Sequence, residues 1–421
     1  MIALFSIRSN HSIYNIFSLR NLNKKRKSLF MKIIDIREID ISLNSSLRNS
    51  VFDFSQMKTS VVAVITDVIR EGKQVVGYAF NSTGRYACGA QMRMRFIPRI
   101  LNSDPEELID FDRNNFDPEK ILSVMMEGEK PGGHSDRSVG IGTIEVAIWD
   151  AISKIEEKPA FRSISDRYNP GGAKPKMFVY VGGGWYAPDK GIPELLDEMK
   201  SYLDMGYTQL KIKIGGESIS NDIKRLEAVL KLLNNEGKNL AVDANCGLSR
   251  QAAFDYAKAL SPYNLRWYEE ATDPLDFALM SELAEIYSPP LATGENLFST
   301  QDVRNLIQYG GLRANHDVIQ IDPPQSYGFV SVAHTLKMLK TFGWSANSLM
   351  PHGGNQMSLH VAAGLGMLLC ESYPNTFGIF SGFADDAEII DGYLTLSENL
   401  PGIGFEAQSG IYEVMSKLSN N

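Results

Sequence analysis

The chain has 421 residues, of which 43% are apolar and 22% charged, enough to bury a full core in one large domain with a smaller companion. Its net charge of −8 argues against a nucleic-acid partner, and no apolar run approaches the ~18 residues of a membrane span. Three scattered cysteines, Cys88, Cys246 and Cys370, exclude a disulfide framework or zinc spacing, so a reducing, cytoplasmic setting is the default.

Six basic residues and no acid stand within residues 1–31, among Ser and Asn. This leader over 1–30 reads as an extension upstream of Met31 or as an organellar presequence. From Met31 the pattern is β-rich. KIIDIREIDI alternates, and SVVAVITDVI and VVGYAFNS flank a turn-like REGKQ, which predicts an antiparallel hairpin. Helical periods follow over 118–127 and 137–155, making 31–160 an α+β domain.

Pro170 to Pro175, PGGAKP, is the clearest linker. Beyond it the rhythm becomes strand, helix, strand: MFVYV, LKIKI, LAVD, RWYE, LATG, VIQID and SLMPH alternate with helical stretches over 222–233, 251–260, 276–286, 300–308 and 332–340. This predicts an α/β barrel over 176–382 in preference to a doubly wound sheet. The segment 383–421 is turn-rich, with YLTL as a lone strand expected to return to the first domain.

Chemistry gathers at the strand ends. Asp243, Glu269 and Glu295 each close a short apolar run and stand 26 residues apart, the length of one strand, one helix and two loops. One acid per strand places three carboxylates at one mouth of the barrel, and an all-oxygen set favours magnesium over zinc. Alternation in Leu210-Lys211-Ile212-Lys213-Ile214 sends both lysines to one face. If the isoleucines meet the helices, the lysines line the barrel, where a neighbouring cation favours the neutral form of a lysine and makes it a usable base. His352 ends SLMPH before Gly353-Gly354, and Asp322, one strand earlier, is positioned to orient it. His134, in the glycine loop EKPGGH, is expected near the site; His11, His316, His334 and His360 are read as leader, loop or packing residues.

With these residues the chain resembles the enolase superfamily, in its mandelate racemase-like branch of acid-sugar dehydratases. Further strings carry the likeness: LRNSVFDFSQMKTS, GYAFNSTGRY, EKPGGH, VYVGGG, KIKIGG, AVDAN, WYEEATDPLD, ATGENLFS, PHGGNQMSL and ESYP. The resemblance implies a modified TIM barrel, (β/α)7β, beneath an N-terminal α+β capping domain. It implies magnesium held by Asp243, Glu269 and Glu295, Lys213 as the base that removes an α-proton, Lys211 facing the substrate carboxylate, and His352, oriented by Asp322, as the acid that protonates a departing hydroxyl. Asn49, Lys130 and Glu371 match positions expected to touch substrate. Thr83 stands where the pattern has asparagine, Asn355 where it has a second histidine, and Cys246 where it has glycine; Pro323-Pro324-Gln325 is also unusual. The activity implied is dehydration of a small hydroxy acid, D-tartrate to oxaloacetate, by a homo-oligomer without nucleic-acid or membrane partners. Dehydration of another acid sugar, racemisation of a hydroxy acid, or a non-catalytic barrel are the competing readings.

Overall fold

Three strands begin the chain, β1 (Ile33–Ser42), β2 (Lys58–Arg70) and β3 (Lys73–Phe80), paired antiparallel in that order. The computed structural model describes residues 30–187 and 190–420, so the leader, His11 included, lies outside the described residues except for Phe30. Val61 to Val64 of β2 are buried on both faces of the sheet. Helices α1 (Pro118–Met126), α2 (Asp136–Ile155) and α3 (Ala160–Tyr168) complete this layer.

Helix α2 is the spine between the layer and the rest of the molecule. It packs on β2 and β3, and glycine permits the close approach: a Cβ on Gly77 would lie 2.0 Å from the Ala147 carbonyl oxygen. Almost every residue of α2 is buried, Glu145 and Asp150 included, and both of these acids are answered. Asp150 accepts from the backbone N–H groups of Tyr78 and Ile403 and pairs with Lys154 at 2.7 Å.

Eight parallel strands form the second unit: β4 (Lys176–Gly183), β5 (Leu210–Lys213), β6 (Leu240–Asp243), β7 (Tyr268–Glu269), β8 (Leu291–Thr293), β9 (Val318–Ile321), β10 (Leu349–Pro351) and β11 (Leu369–Ser372). From β4 to β10 neighbours in sequence are neighbours in the sheet, and β11 pairs with β4 while lying against β10, closing the ring. Between the strands run α4 (Ile192–Asp204), α5 (Ile219–Leu232), α6 (Arg250–Leu260), α7 (Phe277–Ile286), α8 (Thr300–Tyr309), α9 (Phe329–Thr341) and α10 (Gln356–Leu365). The fold is thus the (β/α)7β barrel with its cap.

Loop chemistry makes the turns from strand to helix. Ser218, Ser249, Asp276, Ser299 and Asn355 each accept a backbone N–H in the first turn of α5, α6, α7, α8 and α10. Helix α9 is capped from a distance: Glu145 of α2 accepts from the N–H groups of Phe329 and Val330 at 2.7 and 3.0 Å. The cap and the barrel are thereby fastened beside the β9–α9 loop.

The strand over Tyr393–Thr395 does not return to the first domain. It pairs antiparallel with the first half of β4, where β5 does not reach; the final helix α11 (Ser409–Asn420) is what packs on β1 and β2. Among the described residues no helix is long and apolar enough to cross a membrane.

Candidate active site

Register sets the site. Lys213 pairs level with Asp243, and Asp243 with Glu269, so β5, β6 and β7 deliver three charges to one height of the barrel. Glu295 follows β8 by two residues. One oxygen from each of Asp243, Glu269 and Glu295 lies within 4.8 Å of the others. Both lysines point inward and are buried, with Ile212 and Ile214 on the opposite face of the strand.

The two ammonium groups are held differently. Lys211 Nζ donates to Glu269 Oε1 at 2.6 Å, pairs with Glu371 Oε1 at 2.6 Å and lies 3.5 Å from Asp243 Oδ2. Lys213 Nζ donates to Asp243 Oδ2 at 2.5 Å and sits 4.3 Å from the centroid of the Trp185 ring. Burial alone would lower the pKa of Lys211, but Glu269 and Glu371 hold it well above the usual lysine range. Lys211 therefore differs from the expectation of a lysine made neutral by its neighbour, because two carboxylates answer it directly.

His352 follows β10. Its Nδ1 lies 2.9 Å from Asp322 Oδ2, which also accepts from Ser82 Oγ at 2.7 Å, and its Nε2 lies 3.3 Å from Glu295 Oε2. Burial pulls the imidazole toward neutrality, yet the charges of Glu295 and Glu371 and the bond to Asp322 outweigh it and raise the pKa to about 10. An imidazolium at neutral pH is an acid ready to donate.

The carboxylates feel one another. Burial opposes ionisation of Asp243, but Lys213 and Lys211 hold its pKa below the usual carboxylate range. Burial and the charge of Asp243 push Glu269 up to about 8. Glu295 Oε2 is buried without a hydrogen bond. Crowded, all-oxygen and partly unsatisfied, Asp243, Glu269 and Glu295 fit a hard dication. Two neighbours fix their orientation: Trp267 Nε1 donates to Glu269 Oε2 at 2.7 Å, and the Asn245 N–H donates to Asp243 Oδ1 at 2.8 Å.

Asn49, Thr83, Lys213, Glu295 and His352 line one cavity of about 30 Å³, roofed by Phe52, Phe54 and Phe377. Asn49 Oδ1 accepts from the N–H groups of Val51 and Phe52, which shapes the cap loop over the site. Glu371 lies behind Lys211, where Gly353 N–H and Tyr373 OH also donate to it. Lys130 is exposed and does not line the cavity, and His134 faces Tyr327 OH at 2.9 Å instead. Asn355, in place of a second histidine, caps α10 and donates to the Gly353 carbonyl at 3.1 Å. Ser82, Trp267 and Tyr373 join the site without having been assigned a role, although each lies within a string that carries the resemblance. A larger surface groove of about 910 Å³, between Tyr207 and Ile411, contains no lysine, arginine or histidine. Volume alone does not mark the chemistry here.

Comparison with known proteins agrees with this geometry. The family described as Enolase C-terminal domain-like matches residues 194–410. Arabinonate dehydratase of Saccharolobus solfataricus is 29% identical over 362 residues, 83% of this chain and 90% of that protein. L-talarate/galactarate dehydratase of Salmonella typhimurium is 26% identical over 354 residues, 82% of this chain and 81% of that protein. Among solved structures, a racemase from Streptomyces coelicolor with bound magnesium superposes with a TM-score of 0.72 at 21% identity, covering 92% of this chain and 99% of that one.

Proposed function

The chain belongs to the enolase superfamily, and from that premise we propose that it is a magnesium-dependent acid-sugar dehydratase whose substrate is D-tartrate. One observation carries the reading: a buried lysine pair and an Asp322-held imidazolium flank three carboxylate oxygens gathered within 4.8 Å. Relatives named as dehydratases of arabinonate, of talarate and galactarate, and of gluconate and galactonate support the reaction class.

Asp243, Glu269 and Glu295 are the residues that would hold magnesium, which supplies positive charge for the substrate carboxylate as its α-proton leaves. Lys211, its ammonium secured by Glu269 and Glu371, faces the same carboxylate. Lys213 takes the proton from the α-carbon. General-base catalysis of this kind contributes about 10²–10⁴-fold, so charge stabilisation must supply the remainder. His352 then gives the proton at Nε2 to the departing β-hydroxyl, while Asp322 on Nδ1 keeps the ring oriented. Water is lost, and the resulting enol tautomerises to oxaloacetate. Thr83, Asn49 and the aromatic roof exclude bulk solvent from these transfers.

The test is oxaloacetate formation from D-, L- and meso-tartrate, beside a panel of aldonates and aldarates, in magnesium and then in excess chelator. Turnover of D-tartrate alone, abolished by chelator, is expected. If D-tartrate is inert while arabinonate or galactarate loses water, the substrate assignment falls and the dehydratase assignment stands. α-Proton exchange without keto-acid formation would instead mark a racemase.

A further inference from the structure

Buried polar atoms are normally satisfied, and one that is not calls for an explanation. Five residues lining the active-site cavity each carry such an atom: Trp185 Nε1, Asn245 Oδ1, Glu270 Oε2, Glu295 Oε2 and Gln325 Nε2 have no hydrogen-bond partner within the protein. Glu270 is fully buried and Gln325 is 2% exposed, so bulk water does not serve them. Glu295 belongs to the set that would hold magnesium, and Trp185 lies on the opposite side, its ring 4.3 Å from Lys213 Nζ; the remaining three offer two acceptors and one donor. That is the complement of two hydroxyl groups and one further carboxylate oxygen, once Lys211 has taken the first carboxylate.

Gln325 is the donor, and its placement is firm. It sits on the β9–α9 loop, where its backbone N–H donates to Asp322 Oδ1 at 3.3 Å, the same carboxylate whose other oxygen orients His352. The loop is pressed against α2 at Gly142, where a Cβ would lie 2.3 Å from the Pro324 carbonyl oxygen. Above it is the cap loop: Nε2 lies 3.6 Å from the position of a Cβ on Gly84. The amide is therefore clamped between barrel and cap on the His352 side, four strands round the ring from Lys213.

We propose that Gln325 determines specificity by donating to the substrate carboxylate remote from Lys211, with Glu270 and Asn245 accepting from the hydroxyls between. This rests on the reading of the site as a dehydratase of hydroxy acids. It goes further in requiring a second carboxylate, and it assigns that group to a residue of the barrel, beyond the cap loops.

The experiment uses magnesium-loaded Lys213→Ala protein, which binds without turnover, and titrates D-tartrate and D-glycerate calorimetrically; glycerate keeps the first carboxylate and both hydroxyls but lacks the second carboxylate. Adding Gln325→Leu is expected to weaken D-tartrate about 10- to 100-fold, the loss of a hydrogen bond to a charged group. Glycerate is expected to bind as before. Gln325→Glu, nearly isosteric and therefore tolerated even if the leucine variant fails to fold, is expected to weaken tartrate further through charge repulsion and to leave glycerate within about threefold. Equal weakening of both ligands, or unchanged binding of tartrate, would overturn the assignment. If wild-type enzyme dehydrates a different dicarboxylic acid, that acid and its analogue truncated at the far end take the two places; dehydration of monocarboxylic acids alone would overturn the assignment. If it dehydrates none, the dehydratase reading fails and this inference fails with it.

Discussion

The two layers of side chains inside the barrel are built from the same strands and share almost nothing else. Toward the strand starts, Tyr180, Ala241, Trp267, Ala292, Met350 and Leu369 pack as an apolar plug. Two residues further along each strand, on the same inward face, stand Gly182, Asp243, Glu269, Gly294, His352 and Glu371. One pleat separates a mainly apolar layer from a charged one, with Lys211 and Gln320, level with Ala241 and Met350, as the polar members of the lower layer. The lower layer closes the barrel to water from beneath, so charges in the upper layer act through a poorly screening medium. That accounts for how strongly they shift one another.

The upper layer should break chemistry without breaking the fold. Lys213→Ala is expected to lower kcat by at least about 10²–10⁴-fold, measured as oxaloacetate release, with an unchanged far-UV circular dichroism spectrum. Undiminished turnover would remove Lys213 from the role of base.

Within the same comparison, two buried histidines test what the charges contribute. Burial alone takes His360, on α10, down to about 3, its Nδ1 accepting from the Phe161 N–H at 3.2 Å. His352 is equally buried, but Glu295, Glu371 and Asp322 carry it up to about 10. The slopes have opposite signs. His352 is raised above its unfolded value of about 6.5, so its contribution is complete below that pH and is lost as pH rises through 10. His360 is lowered, so its contribution is present above about 6.5 and is lost as pH falls toward 3. At about 1.4 kcal/mol per unit, the His352 contribution is on the order of 5 kcal/mol in metal-free protein. Urea denaturation in chelator from pH 6.5 to 10 should show the loss, with that of Glu269 added as pH rises through about 8, and His352→Asn should reduce it. A slope unchanged by that substitution would assign it to other groups.

Trp267, like Lys211, bridges the layers. Trp267 belongs to the plug, yet its Nε1 reaches Glu269 Oε2 at 2.7 Å. Trp267→Phe keeps most of the packing and deletes the donor. A group that orients a metal-binding carboxylate typically contributes 10- to 100-fold in metal affinity. Calorimetric titration of magnesium into the variant should show a loss of that size, with the melting temperature of the metal-free protein little changed. Equal magnesium affinity would make the contact a packing detail.

How much of this was legible follows from how far apart the partners lie in sequence. The acids, the lysine pair and His352 were readable because each sits at the end of its own apolar run, and the 26-residue interval ties the acids to successive strands. Strand β11, LCES, escaped the rhythm: four buried residues with a glutamate among them do not alternate visibly. The strand over Tyr393–Thr395 was legible as a strand but not as a partner of β4, since pairing there depends on where β5 begins. Ser82 meets Asp322 across 240 residues, and no local pattern announces such a contact. Lys130 matched a motif and still lies on the surface, because the loop holding it bonds to Arg137 through its backbone carbonyl. Glu145 and Asp150 stand on an otherwise apolar helix, and their donors come from α9, β3 and the Ile403 turn, none adjacent in sequence.

The smallest expected effect concerns the cap. Thr83 lies in the loop after β3, 4% exposed, on the wall of a cavity of about 30 Å³. It is held from below through Ser82, whose hydroxyl donates to Asp322. Asparagine at this position adds an amide where Thr83 presents a methyl and a hydroxyl. In so small a space the larger side chain competes with the substrate for volume, while its N–H₂ offers a donor that threonine lacks. A change of about one methylene in a fitted pocket is worth roughly 1–3 kcal/mol of discrimination, and the new donor offsets part of it. Thr83→Asn should therefore shift the ratio of kcat/KM between D-tartrate and a five-carbon aldonate by about tenfold. Magnesium affinity and the His352 slope should stay as they are, because neither layer of the barrel is touched. A change in either would mean that the cap loop transmits strain through Ser82 to Asp322, and that the upper layer depends on the cap for its geometry.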